Sequence, residues 1–114
     1  MNDCLFCRIV AGSIPAKLVY EDDQAVAFED INPQAPVHVL VIPRRHIPSV
    51  AEFGSADAGL LGQLVQACVK IARNKGIAES GYRIVTNTGP QAGQSVFHVH
   101  LHVLGGRHLA WPPG

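Results

Sequence analysis

Three histidines alternate with apolar residues near the end of the chain, between Phe97 and Leu104. If this segment is a β-strand, His98, His100 and His102 point to one face of a sheet and the apolar residues point to the other. With 6 histidines among 114 residues, the chance of two more at positions i+2 and i+4 of a given histidine is roughly 0.003. Such a row could be solvated surface imidazoles, a catalytic zinc site with three histidine ligands, or a nucleophilic imidazole whose neighbours handle protons and phosphate charge. The preceding loop favours the third interpretation.

That loop is rich in glycine and small polar residues, and it reads Asn87-Thr-Gly-Pro-Gln-Ala-Gly-Gln-Ser95. Glycine lets backbone N–H groups come close to an anion, and the side chains of Ser95 and Asn87 add further donors. The pattern matches no P-loop or dinucleotide fingerprint, since it precedes a strand rather than a helix. The sequence therefore predicts an anion held opposite the imidazoles.

Cys4 and Cys7 form a Cys-x-x-Cys pair, which is half of a zinc site. On these residues alone, reduced thiols on a terminal helix, a zinc site and a redox pair all remain open. Cys68 falls in the apolar stripe of a predicted helix, so we expect it to be a buried packing residue. Three cysteines do not make a disulfide framework.

Two helices and five strands are predicted to position these residues. The spacing of apolar residues predicts a short helix over residues 4–12 and a long helix from an N-cap at Asp57 to a stop at Gly76. Strands are predicted over residues 17–21, 24–29, 37–42, 82–86 and 97–104. Hairpins with one long helix favour an α+β fold in which the long helix covers one face of an antiparallel sheet of about five strands.

The composition limits the classes of partner. The chain is 47% hydrophobic and 16% charged, and no apolar stretch approaches the roughly 20 residues that span a bilayer, so we expect a single domain over residues 1–114 with no membrane partner. Lys and Arg (9) balance Asp and Glu (9) without a basic run, which argues against nucleic-acid binding. The Met-Asn-Asp start lacks a basic n-region and an apolar h-region, and a cytoplasmic location is expected.

The segment Phe97-His-Val-His-Leu-His-Val-Leu104 resembles the His-x-His-x-His-x-x signature of the histidine triad superfamily. Four further segments resemble its histidine triad nucleotide-binding branch: Ile14-Pro-Ala-Lys17, Asp30-Ile-Asn-Pro-Gln-Ala-Pro-Val-His38, Gly105-Gly-Arg107 and Trp111-Pro-Pro-Gly114. Asn32 stands where that branch often has serine. The resemblance implies hydrolysis of purine nucleoside 5′-phosphoramidates, such as adenosine 5′-monophosphoramidate, by a homodimer whose two subunits form one continuous sheet.

The resemblance also implies roles for individual residues. His100 would be the nucleophile, with His38 and His102 orienting groups and moving protons and Ser95 holding phosphate oxygens. Asp30 would accept the ribose hydroxyls, and the tail at Trp111 would cross the dimer to shape the partner subunit's leaving-group side, or else serve only as a dimer staple. The remaining substrate-binding positions that it implies are Ile31, Phe6, Ile9, Phe28 and Leu40 around the base and Asn87, Gly93 and Val96 near the phosphate.

The same resemblance implies a structural zinc ion on Cys4, Cys7, His46 and His98, with no cofactor required for the chemistry. A zinc ligand cannot also relay protons, which removes His98 from the catalytic set. Two alternatives to phosphoramidate hydrolysis are a dinucleoside polyphosphate hydrolase of the fragile histidine triad branch and a purine nucleotide-binding interaction protein with little turnover. The Leu104-Gly-Gly106 and Trp-Pro-Pro-Gly endings argue against the first of these.

Overall fold

The computed structural model describes residues 3–114, which form one five-stranded antiparallel sheet and two α-helices. In chain order the elements are α1 (Leu5–Val10), β1 (Leu18–Glu21), β2 (Ala25–Glu29), β3 (Val37–Pro43), α2 (Ala58–Asn74), β4 (Tyr82–Val85) and β5 (Leu101–Gly105). Short 3-10 turns occupy Val50–Glu52, Ser55–Asp57 and Pro90–Ala92. The strands lie in the order β1-β2-β3-β5-β4, and each neighbouring pair is antiparallel. The predicted α+β fold, with one long and one short helix, is confirmed.

The long helix α2 covers one face of the sheet and forms the main core. Its buried residues are Leu64, Ala67, Cys68, Ile71 and Ala72, and they pack on alternate residues of the strands, including Ala27, Val39 and Val103. Cys68 is fully buried as predicted, and burial raises the pKa of its thiol to about 12, so this cysteine stays protonated and unreactive.

Both ends of α2 lie where the sequence predicts them, but only the C-terminal end has the predicted cap. Gly76 adopts a φ of +76°, and its N–H donates to the Arg73 carbonyl while the Ile77 N–H donates to the Ala72 carbonyl, which is a Schellman ending. Asp57 precedes the helix, yet its carboxylate accepts from the Gly54 N–H and pairs with Arg45 instead of capping α2. Within residues 3–114, no helix combines the length and apolarity needed to cross a membrane.

The last strand begins later than predicted. β5 starts at Leu101, not at residue 97, and Phe97, which the alternation assigned to the core, is 57% exposed. Pro43 explains the difference, because a proline has no N–H with which β3 could continue its ladder toward β5. The Pro43 carbonyl instead accepts a hydrogen bond from Nε2 of His98, and the Val99 N–H donates to the Ile47 carbonyl. The residues before Leu101 are therefore held by side-chain and loop contacts.

The other face of the sheet carries α1 and a second, smaller apolar cluster. This cluster contains Phe6 of α1 together with Val26, Phe28, Leu40 and Ile42 of the sheet. The antiparallel register of β3 and β5 places Leu40 opposite His102 and His38 opposite Leu104, so both histidines lie on this face. The face away from α2 is where the sequence-predicted site residues collect.

Candidate active site and metal site

An apolar cavity of about 590 Å³ lies between α1 and the face of the sheet that carries Leu40 and His102. Helix α1 contributes three lining residues, Leu5, Phe6 and Ile9. The predicted site residues that the structure brings together around this cavity are Phe6, Ile9, Phe28, Asp30, Ile31, Leu40, Ser95, Val96, His100 and His102. The predicted base pocket and the central histidines therefore border one space.

His100 has its ring orientation set by the main chain. Its Nδ1 lies 2.8 Å from the backbone oxygen of His98, and because a carbonyl can only accept, the proton of the neutral ring is on Nδ1. The Nε2 atom is left with a free lone pair. The ring is buried, and its centre lies 5.1 Å from the centre of the Phe6 ring, almost perpendicular to it. His100 thus combines a restrained ring with an unprotonated, nucleophilic nitrogen.

His38 and His102 form a directly hydrogen-bonded pair. The Gln34 backbone N–H, which can only donate, lies 3.0 Å from Nδ1 of His38, so the proton of neutral His38 is on Nε2. That Nε2–H donates to Nδ1 of His102 at 2.8 Å. By the same logic, neutral His102 carries its proton on Nε2. The direction of the whole chain of hydrogen bonds follows from one peptide N–H.

Burial keeps this pair neutral near pH 7. Burial lowers the pKa of His38, although the Asp30 carboxylate opposes the shift. Burial and the neighbouring rings of His100 and His38 lower the pKa of His102 to about 4. Both imidazoles therefore present one donor and one acceptor each, in a fixed direction.

Asp30 lies beside this pair at the edge of the cavity. Its Oδ1 accepts from the Asn32 N–H at 2.8 Å, and its Oδ2 lies 3.4 Å from Nε2 of His38. The carboxylate is only partly buried, so it remains accessible to a pair of hydroxyl donors. Ile31, the next residue, lines the rim of the cavity with a fully exposed side chain.

The glycine loop is anchored by Gln94, whose importance the sequence did not indicate. The Gln94 side chain is buried, and its amide donates to the carbonyls of Pro48 at 2.6 Å and Val96 at 3.1 Å, while its oxygen accepts from the Gly89 N–H. This leaves Ser95 exposed at the cavity. Within the described chain, the N–H groups of Ser95 and Val96 do not donate to another backbone group, which leaves them available to an anion.

Three predicted substrate-binding residues lie elsewhere in this chain. Gly93 does not line the cavity; it ends the Pro90–Ala92 turn in a left-handed conformation, with φ of 87° and ψ of 21°. Asn87 lines a second cavity of about 290 Å³, which also borders His38 and His102. Trp111 is 81% exposed, and its ring centre lies 6.0 Å from the guanidinium carbon of Arg83. Its predicted action on a partner subunit stays a prediction.

The four predicted metal ligands lie together at the N-terminal end of α1. The Sγ atoms of Cys4 and Cys7 and the Nδ1 atoms of His46 and His98 all lie within 4.8 Å of one another. Three of the S···N distances, from Cys4 to His98 and from Cys7 to His46 and His98, are 3.3 to 3.5 Å, and the two Nδ1 atoms are 3.3 Å apart. A tetrahedral zinc ion with its usual bond lengths places such ligand pairs about 3.5 and about 3.3 Å apart.

The surroundings of this cluster also suit a metal. His98 donates its Nε2–H to the Pro43 carbonyl at 2.8 Å, which leaves the lone pair of Nδ1 directed at the cluster. The Cys7 N–H donates to the Cys4 sulfur at 3.4 Å, which orients that sulfur at the start of the helix. The donor set, spacing and tautomer all fit a zinc ion.

Asp30, His38 and His102 make a second group of potential metal ligands. The two ring nitrogens of this group are only 2.8 Å apart, which is a hydrogen-bond distance and is shorter than the roughly 3.3 Å between two nitrogen ligands of one ion. This group is therefore a hydrogen-bonded chain rather than a chelate.

The model of the HIT domain family matches residues 11–109. The chain belongs to the HIT domain family. An uncharacterized HIT-like protein of Synechococcus elongatus is 52% identical over 113 residues, covering 99% of this chain and 98% of that protein. Among solved structures, a HIT family hydrolase from Legionella pneumophila is 47% identical with a TM-score of 0.96, covering 98% of this chain and all of that one. A HIT family hydrolase from Clostridium thermocellum is 46% identical with a TM-score of 0.94, covering 96% of each chain.

The residues matched by the family model include the candidate catalytic histidines but only half of the candidate metal site. All five histidines named above, Asp30 and the glycine loop lie inside the matched residues 11–109. Cys4, Cys7 and the Trp111 segment lie outside them. Half of the predicted metal ligands therefore lie in the α1 segment that precedes the matched region.

Proposed function

We propose that this HIT domain protein hydrolyses purine nucleoside 5′-phosphoramidates, such as adenosine 5′-monophosphoramidate, through a covalent nucleotidyl-histidine on His100. The observation that carries the proposal is the hydrogen bond from Nδ1 of His100 to the His98 carbonyl, which leaves Nε2 unprotonated beside the apolar cavity. The names of the similar structures, HIT family hydrolases, support a hydrolase. The cavity volume of about 590 Å³ is in the usual range for small-molecule sites.

In the first step, Nε2 of His100 forms a bond to the α-phosphorus, and the P–N bond of the substrate breaks. The electron pair of that bond stays on the leaving nitrogen, which takes a proton from the Nε2–H of His102, so that His102 becomes an anion until the second step returns its proton. Attack makes the His100 ring cationic, and its centre lies 5.0 Å from the centre of the His102 ring. The new positive charge favours departure of the His102 proton toward the amine.

In the second step, water supplies the oxygen that replaces His100 on phosphorus. Nε2 of His100 leaves with the electron pair of the P–N bond, and one proton of the attacking water returns to His102. The other proton stays on the nucleotide product. One water is consumed per P–N bond, and both histidines regain their starting protonation states.

The rest of the cavity suits the remainder of a nucleotide. The rings of Phe6 and Phe28, whose centres are 5.4 Å apart, and the side chains of Ile9 and Leu40 offer an apolar slot for a purine base. Asp30 accepts the two ribose hydroxyls. Ser95 and the free N–H groups of the glycine loop bind the phosphate oxygens, opposite the nucleophile.

Cys4, Cys7, His46 and His98 hold a structural zinc ion. When bound, the ion supplies a cross-link between α1 and the segments around β3 and β5, and it takes no part in the reaction. Every chemical role assigned above belongs to groups outside this cluster.

The active protein is a homodimer in which two sheets join. β4 is an edge strand, and it carries the exposed Ile84, while α2 exposes Val65. Pairing of two β4 edges would cover apolar surface and remove two exposed strand edges. Light scattering coupled to gel filtration tests this, with a mass of two chains expected and a stable monomer contradicting it.

Rapid-quench kinetics with a fluorogenic adenosine 5′-phosphoramidate tests the function. We expect a burst of released amine approaching one equivalent per chain, followed by slower turnover, and AMP attached to His100 in quenched samples digested for mass spectrometry. Tight AMP binding without release of amine would favour the interaction-protein alternative. Faster cleavage of a dinucleoside polyphosphate than of the phosphoramidate would favour the other hydrolase.

A further inference from the structure

The guanidinium of Arg107 donates two hydrogen bonds to a single carbonyl in the turn that precedes β3. Its Nε and Nη2 lie 3.2 and 2.9 Å from the backbone oxygen of Gln34, and its Nη1 donates to the His108 carbonyl at 2.9 Å. Three of the five N–H donors of Arg107 are therefore committed to the main chain. This arginine does not line the 590 Å³ cavity and has no place in the chemistry described above.

Gln34, whose carbonyl Arg107 binds, is also the residue whose N–H sets the His38 tautomer. The carbonyl of Gln34 accepts from Arg107, while the N–H of Gln34 donates to Nδ1 of His38 at 3.0 Å. Both backbone groups of this residue are therefore engaged, one by the arginine and one by the histidine. Rotation of the Gln34 backbone about φ and ψ would break at least one of these hydrogen bonds.

The turn is held against the end of β5 by a second close contact. A Cβ atom at Gly106 would lie 2.9 Å from Cβ of Pro36, so the segment just before Arg107 approaches the turn as closely as only glycine allows. The turn also closes on itself, because the Gln34 side chain donates to the Asn32 carbonyl at 3.0 Å. Arg107 completes this arrangement from outside the turn.

We propose that Arg107 is a positioning residue that fixes the direction of the hydrogen-bond chain from Gln34 through His38 to His102. With the Gln34 N–H in place, the His38 proton is on Nε2, the Nδ1 of His102 accepts, and the His102 proton is on Nε2. Without the arginine, the turn relaxes, Nδ1 of His38 becomes free to hold the proton, and the direction of the chain reverses in part of the molecules. A reversed chain removes the Nε2–H of His102 from the reaction.

The use of this proton rests on the proposed function, whereas the tautomer does not. The first experiment is therefore spectroscopic and needs no substrate: long-range ¹H–¹⁵N correlation of the imidazoles at pH 7.5 in wild-type protein and in Arg107→Ala. We expect His38 of the wild-type protein to show a protonated Nε2 and an acceptor Nδ1. In Arg107→Ala we expect a mixture of both His38 tautomers.

Arg44→Ala is the matched control. Arg44 also donates from its guanidinium to a turn carbonyl, that of Asp22 at 2.9 Å, and to Glu21, but no hydrogen bond within residues 3–114 joins this turn to a histidine. Arg44→Ala should keep the wild-type His38 spectrum. Gln34→Ala removes the side-chain hydrogen bond to Asn32 but keeps the backbone carbonyl that Arg107 binds and the N–H that faces His38, so it should keep the spectrum as well, which would show that the main chain carries the effect.

The second experiment is kinetic. Arg107→Ala should lower kcat for an adenosine phosphoramidate about 10- to 100-fold while the Kd for AMP stays within about twofold, because Arg107 lines the 290 Å³ cavity but not the 590 Å³ cavity proposed to hold the nucleotide. Arg107→Lys should restore only part of kcat, since one ammonium cannot bracket the Gln34 carbonyl as a guanidinium does. A wild-type His38 spectrum together with wild-type kcat in Arg107→Ala would overturn the proposal.

Two other outcomes are decisive. If Arg107→Ala unfolds, the spectrum of Arg107→Lys decides, and an unchanged single tautomer with wild-type kcat there contradicts the proposal. If the wild-type protein shows no phosphoramidate hydrolysis, the function fails while the spectra still support or overturn the positioning role. Equal losses of AMP affinity and kcat with an unchanged His38 spectrum would mean that Arg107 only supports the structure.

Discussion

The Nδ1–H of His100 donates to the backbone carbonyl of His98, and the Nδ1 of His98 belongs to the metal-ligating cluster. Two histidines that are two residues apart therefore have different duties, and the main chain of one orients the ring of the other. His98 is itself oriented by the Pro43 carbonyl. The proposed nucleophile is positioned by backbone contacts that lead to the cluster of proposed metal ligands.

Replacement of the nucleophile should separate binding from turnover. His100→Ala should lower kcat at least about 10³-fold, because no other free imidazole nitrogen takes its place, while the Kd for AMP stays within about tenfold because the base slot and Asp30 remain. Quenched-flow kinetics and isothermal titration measure the two quantities. The exposed His108 offers a control, and His108→Ala should hydrolyse substrate normally; substantial turnover by His100→Ala would remove the assignment.

Stability should fall on mild acidification because of His102. The pKa of His102 is about 4 in the folded protein against 6.5 for an ordinary histidine. Between these two pH values the unfolded chain binds a proton at this residue and the folded chain does not. The contribution of this group is complete above about pH 6.5 and is lost progressively as the pH falls to about 4, by on the order of 2 to 3 kcal/mol.

Urea titrations at several pH values check this point. Both wild-type protein and His102→Gln should be measured in the presence of a chelator, so that metal release does not contribute to the slope. The free energy of unfolding of His102→Gln should depend less on pH between 6.5 and 4 than that of the wild type. Parallel pH curves for the two proteins would contradict the predicted linkage.

Metal should be bound as purified and should stabilise the fold. Elemental analysis should find about one zinc per chain, and Cys4→Ser should lose it together with several degrees of Tm, because the proposed ion would tie the six-residue helix α1 to the sheet. Cys68→Ala is the control, since this thiol is buried in the main core and should leave the zinc content unchanged. Metal-free protein with two freely titrating thiols at Cys4 and Cys7 would count against the site.

The tail should affect the choice of leaving group. The carbonyls of Leu109 and Ala110 accept from Arg83, and Trp111 lies exposed beside the same guanidinium. Deletion of residues 110–114 should keep the dimer, because the sheet edge and α2 remain, and should change relative kcat/KM among phosphoramidates with different amines more than the Kd for AMP. Monomers after truncation, or an unchanged order of amines, would favour a simple dimer staple.

Periodic features were predictable from the sequence, and single backbone contacts were not. The apolar spacing of α2 and the alternation in β3 predict their positions because many residues contribute to each pattern. Phe97 fits the same alternation, yet it is exposed. Pro43 has no N–H, so the pairing of β3 with β5 ends at Leu101 and does not extend to Phe97. Gln94 sits buried in a glycine loop where its type and neighbours indicate exposure.

The site shows the same division. The types and spacing of His98, His100 and His102 predict a shared location but not three different partners. Those partners are the carbonyls of Pro43 and His98 and, through His38, the N–H of Gln34. Every residue has a backbone carbonyl, and every residue except proline has a backbone N–H. The residue types at these positions therefore do not indicate which backbone group will orient a histidine.

Helix α1 belongs to both candidate sites, since it and its N-cap residue carry two of the four proposed metal ligands and it contributes Leu5, Phe6 and Ile9 to the cavity wall. Binding events that order the same helix are thermodynamically linked, and such linkage is reciprocal. Nucleotide in the cavity should therefore raise the affinity for zinc by the same factor by which zinc raises the affinity for nucleotide. The fraction of protein with nucleotide bound would then depend on the concentration of zinc, and the fraction with zinc bound would depend on the concentration of nucleotide.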